Sequence, residues 1–151
     1  MESEYEKKRE ILKDIIMKEE DVLAQLQRLV KLAKPFIKIE ENTGRIVLMS
    51  DFPLTNYEKI FLLLLGKFFA YHSRITKETT VKIRELSDDL GIKVTTLSAP
   101  LGRLVEDHFV SKPQKDAYQV NPHQVEVFLK ELTKRYSAVE KKNRGKVRRR
   151  E

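Results

Sequence analysis

Between Asn56 and His72 the apolar residues leave no side of a helix free for water. Phe61, Leu64, Leu65 and Phe68 form one face, and Ile60, Leu62, Leu63 and Phe69 cover most of the rest. A helix that is apolar nearly all round is buried nearly all round, so it must be covered from at least two sides, by the rest of this chain or by a partner. Its start is marked by Thr55-Asn56-Tyr57-Glu58, a capping box in which Thr55 and Glu58 satisfy each other's orphan amides. The most apolar run, Ile60 to Tyr71, is twelve residues long and contains Lys67, too short and too charged to cross a bilayer.

One cover follows directly in sequence. Arg84 to Leu90 reads as a short amphipathic helix with Leu86 and Leu90 four apart, stopped by Gly91, the residue that most readily takes a left-handed conformation. Gly91-Ile92-Lys93-Val94 is a tight turn. A second helix, about 95–108, carries Leu97, Leu101, Leu104 and Val105 as an apolar stripe. Phe109-Val110-Ser111-Lys112 and Ala117-Tyr118-Gln119-Val120 are strand-like and flank the polar loop Pro113-Gln114-Lys115-Asp116. This order resembles the winged helix-turn-helix domains of archaeal and bacterial regulators, over about Leu54 to Tyr136. The resemblance implies a recognition helix at about 95–108, a wing at 109–120, and a small extra strand at Val81-Lys82-Ile83.

The flanking segments, of this chain or of a partner, are the candidates for the other cover. Residues 1–34 read as one long helix in which Leu12, Ile15, Glu19, Val22, Leu26, Leu29 and Ala33 recur at spacings of three and four. Such a stripe must pack on something. Either it is an arm on its own domain, or it is a dimerisation helix in which Leu12, Ile15, Val22, Leu26 and Leu29 meet a second copy, the reading we prefer. Pro35 ends the helix. Residues 35–53 hold a β-hairpin, Phe36–Glu40 and Arg45–Met49 around Gly44, and a linker; they pack on the core and form no domain of their own. After the wing, Asn121-Pro122 starts a final helix marked by Val125, Phe128, Leu129, Leu132, Tyr136 and Val139. Residues 137–151 are a basic tail, expected to be disordered for want of apolar surface. The expected class is thus mainly α with small β (α+β): a winged helix-turn-helix preceded by a long helix and a hairpin and followed by a C-terminal helix.

Charge refines the function. The chain carries a net charge of +7, but residues 81–111 hold four basic and five acidic side chains, whereas residues 137–151 hold seven basic and two acidic. The candidate DNA contacts on the second helix are Lys93, Thr95, Thr96, Ser98 and Arg103, with hydroxyls for phosphates or bases and a guanidinium for a phosphate or guanine edge. Lys112, Gln114 and Lys115 are the contacts on the wing. Arg144, Lys146, Arg148, Arg149 and Arg150 would neutralise phosphates of DNA, or of RNA, without reading sequence. Pro100 leaves two starts open. A helix from Thr95 loses one hydrogen bond at Thr96, whereas a helix capped by Ser98 holds Pro100 harmlessly in its first turn.

Double-stranded DNA is therefore the expected partner of a dimeric, cytoplasmic, nucleoid-associated regulator or chromosome factor. The alternative is a protein-docking adaptor within a larger complex, since winged helices serve both ends. No enzyme is expected. The five glycines are scattered, His72, His108 and His123 have no metal spacing, and the chain has no cysteine, so no cofactor or metal is implied.

Overall fold

A computed structural model describes the backbone of residues 3–15 and 19–149 and the side chains of residues 3–15 and 21–137. Among the described residues the fold is mainly helical with two small antiparallel sheets. The N-terminal region forms two helices, α1 (Glu4–Leu12) and α2 (Glu19–Ala33), where one continuous helix was expected. Lys13 to Ile15 make a turn instead. The β-branched Ile15 is a weak helix former, and α1 has no buried residue whose packing would carry the helix through. α2 lies on the last helix, α6 (Val125–Arg149), and puts Leu29 and Ala33 in the core.

The central helix, α3 (Asn56–His72), opens with both halves of the capping box: Thr55 Oγ1 accepts from the Glu58 amide, and Glu58 Oε1 accepts from the Thr55 amide at 2.9 Å. Ile60 to Leu65 are all buried, as its unbroken apolar character requires. The hairpin of β1 (Ile37–Ile39) and β2 (Ile46–Leu48) covers one side, and Gly44 turns it with φ 72°. Where β2 crosses α3, Gly66 leaves room for Ile46, because a Cβ there would lie 2.5 Å from Ile46 Cγ2. Gly66→Ala is therefore expected to lose about 1–2 kcal/mol by overpacking, even after the gain in helix propensity. A Gly66→Ala/Ile46→Ala pair should lose less than the two single changes together, measurable as coupling in urea unfolding.

The other side of α3 is covered by α4 (Ile83–Leu90), α5 (Val94–Glu106) and a three-stranded sheet ordered β3 (Val81–Lys82), β5 (Ala117–Val120), β4 (Val110–Gln114). Gly91 closes α4 in the left-handed region, φ 65°, with its amide donating to the Ser87 carbonyl. The β4–β5 loop is tighter than the four residues expected: β4 runs on to Gln114 and the register slips between Ser111 and Gln114. Pro113, which cannot donate to a ladder, falls in that irregularity. Asp116 takes φ 63° to make the turn.

Asn121 caps a 3-10 turn, Pro122–Gln124, that leads into α6. The α6 backbone is helical to Arg149, so most of the stretch expected to be a disordered tail is helix. Lysine, arginine and glutamate are good helix formers, and extending a helix already fixed by its packed half avoids a new nucleation step. α6 is clamped to α3 at Glu58, a carboxylate that is 4% exposed. Glu58 accepts from the Tyr136 hydroxyl at 2.7 Å and from Thr55 Oγ1 at 3.0 Å, and it pairs with Arg135 at 3.3 Å. Among the described residues no helix is long and apolar enough to cross a membrane.

Candidate nucleic-acid interface

α5 has one buried side, Leu97, Pro100, Leu101 and Leu104, and one open side. Lys93, Thr95, Thr96, Ser98, Ala99, Gly102 and Arg103 are all exposed, so the structure gathers the residues expected of the second helix on one continuous surface. The helix starts at Val94, which places Pro100 inside it and removes the donor that the Thr96 carbonyl would otherwise have. Ser98 does not serve as a cap: its hydroxyl donates to the Val94 carbonyl at 3.1 Å, turned back along its own helix. Lys93 occupies the N-cap position and makes no side-chain cap hydrogen bond, leaving the first amides of α5 without one.

Arg103 is held in place. Its guanidinium lies over the Tyr57 ring, 5.6 Å from the centroid, and the Tyr57 hydroxyl donates to Asp107 Oδ2 at 2.6 Å. Burial, then the hydrogen bond to Asp107 and its negative charge, raise the Tyr57 pKa above its ordinary value, with Arg103 opposing. The phenol therefore stays neutral across the physiological range and acts as a fixed donor. Thr55, Asn56, Tyr57, Thr96, Arg103, Asp107 and Arg135 line a polar groove of about 640 Å³ between the start of α3, α5 and α6. Sequence reasoning did not find Tyr57, Asp107 or Arg135. Tyr57 and Asp107 are 50 residues apart, and no local pattern joins them.

The hairpin presents Lys112, Gln114 and Lys115, all exposed. Lys112 Nζ lies 5.6 Å from the centroid of the Tyr118 ring, so this cation too is positioned by an aromatic neighbour. The side chains of Arg144, Lys146, Arg148 and Arg149, and Arg150 altogether, lie outside the described residues. Among the residues of the expected dimer seam, Leu29 is buried in the chain's own core and Leu26 packs against that core, while Leu12, Ile15 and Val22 are exposed. Leu29 is thus taken up by the chain's own core while α2 lies on α6, because the apolar stripe of α2 is wide enough to serve two neighbours.

His72 packs its ring on Phe68 and Tyr71, His108 takes a left-handed turn after α5, and His123 follows Pro122. Among the described residues no three histidine or acidic side chains come together as a metal site would require. The chain matches no family model, no curated protein and no solved structure.

Proposed function

We propose that this chain is a winged-helix DNA-binding protein, a dimeric transcriptional regulator or chromosome-associated factor acting on the nucleoid. α5 would enter the major groove, the β4–β5 hairpin would serve as wing, and the basic end of α6 would run along phosphates. The observation that carries the reading is the continuous exposed face of α5, with Thr95, Thr96 and Arg103 uncovered, beside a hairpin that projects Lys112, Gln114 and Lys115. A DNA-reading helix needs such a face, its amino-terminal residues at the base edges and hydroxyls or cations for phosphates. The first amides of α5, free of a side-chain cap, suit a phosphate oxygen. The tail would hold RNA as readily as DNA, since counterion release does not distinguish them.

Fluorescence anisotropy on duplex DNA across a salt series tests this. Arg103→Ala is expected to weaken binding by about 1–3 kcal/mol and to relax sequence preference. Lys112→Ala/Lys115→Ala should weaken all sequences alike and reduce the salt slope by about 2. Removing residues 141–151 should lower it further. If all three variants bind as the parent does, α5 and the hairpin are not the interface.

One observation favours a second reading, a protein-docking adaptor. The open side of α5 carries only Lys93 and Arg103 as cations, and Arg103 shares its surroundings with Asp107. Binding that survives mutation of α5, together with a stable protein partner, would mark the adaptor.

A further inference from the structure

α2 leaves a second apolar face uncovered. Val22, Leu23 and Val30 are exposed along it, and Leu26 lies half-buried between them. The face opens onto a groove of about 500 Å³, bounded by Leu26, Val30, Ile37, Ile39 and Phe69, with Lys34 and Lys38 at its rim. Val22, Leu23 and Val30 together make a contiguous exposed apolar patch beside that groove, and such a patch marks a surface that another element covers. The charge along α2 indicates what the cover is. Its amino-terminal end is Glu19-Glu20-Asp21, and its carboxy-terminal end is followed by Lys34 and Lys38. Turned through a two-fold axis and laid antiparallel, a second α2 brings its acidic end to Lys34 and Lys38 and its valines and leucines to the groove. A parallel pair would set acid against acid and base against base, a repulsive arrangement.

We infer that this face is a two-fold interface in which α2 of a second copy packs antiparallel across α2, centred near Leu26. The inference rests on the dimeric reading above and adds its geometry. Both copies use the same patch, as a closed two-fold interface requires. Leu29 is left to each copy's own core, and Leu23, Val30 and the Lys34 rim take over the role first expected of the Leu29 seam. With the axis at Leu26, Leu23 of one copy comes level with Val30 of the other to within about 2 Å along the helix, whereas the two Val30 positions are about 12 Å apart.

The chain has no cysteine, so introduced pairs report without background. Leu23→Cys and Val30→Cys chains, each full length, are purified, mixed in equal amounts and oxidised, with sedimentation equilibrium on the parent in parallel. The expected result is a dimeric parent, a disulfide-linked heterodimer in the mixture, and little covalent dimer from either chain alone, since disulfides need Cα atoms within about 7 Å. Lys34→Glu should weaken the dimer at least tenfold, and Glu20→Lys added to it should restore most of that loss. A parent that stays monomeric removes the dimeric reading and this interface with it. A dimeric parent whose Val30→Cys chain cross-links to itself keeps the dimer and overturns the antiparallel arrangement. A dimeric parent with no cross-link from either position overturns the interface altogether.

Discussion

Phe61→Ala is expected to lower the free energy of unfolding by about 4 kcal/mol, the upper range for a buried aromatic truncated to alanine. Phe61 is fully buried on α3, and its ring stacks on Phe128 of α6 with centroids 3.7 Å apart. Phe109, at the entrance to β4, meets Phe61 edge-on at 6.1 Å and Phe128 at 5.0 Å. Three elements distant in sequence thus meet on one side chain, and rigid helices on both sides hinder collapse of the space it leaves. The loss corresponds to roughly 8–16 °C in melting temperature for a chain of this size. Phe61→Leu, which keeps much of the volume, should cost under half as much in the same urea titration. A loss below about 1 kcal/mol for the alanine variant would contradict the close packing of the three rings.

Glu58→Ala comes next, at about 3 kcal/mol, although the position looks at first like an ordinary helix cap. A cap alone is worth about 1 kcal/mol. Here the carboxylate also accepts from the Tyr136 hydroxyl and pairs with Arg135, so its removal leaves the buried phenol only the Pro53 carbonyl, at 3.0 Å, and unlinks α6 from the start of α3. Arg135 is largely exposed and solvent screens it, so the Tyr136 and Thr55 bonds carry most of the effect. Glu58→Gln, able to accept but uncharged, should fall between. The same network sets an alkaline limit. Burial, then the hydrogen bond to Glu58 and its charge, push Tyr136 from 10.0 up to about 12. Because the folded value lies above the unfolded one, the protein holds its proton more tightly when folded. That stability is complete below pH 10 and is lost as pH rises through about 12. Tyr136→Phe should flatten the fall in unfolding free energy over that window; an unchanged slope would place the titration elsewhere.

Much of the local structure was legible because its causes are local. Thr55 and Glu58 are three residues apart and cap one another whatever lies around them. Gly44 and Gly91 take positive φ where a hairpin and a helix end need it. The exposed set on α5 follows from a period of 3.6 residues, which puts Thr95, Thr96, Ser98 and Arg103 on the side away from Leu97, Leu101 and Leu104. The misses lay where a neighbour decides. A heptad stripe says that a helix packs, but not on what: the structure buries Leu29 in the chain's own core and leaves Val22 and Val30 open. The Arg103–Tyr57–Asp107 group joins residues up to 50 positions apart, and nothing in either segment announces the other.

The sequence by itself therefore determined where α3 begins, where α4 stops, and that α3 had to be enclosed, because capping, propensity and periodicity act within a few residues; the start of α5, which Pro100 left open, lies at Val94. Only the tertiary structure decided which elements do the enclosing, that Glu58 is a clamp as well as a cap, and that Arg103 stands on a tyrosine beside an acid. Those outcomes depend on burial and on contacts across tens of residues, where each side chain's energy is set by partners that no local pattern specifies.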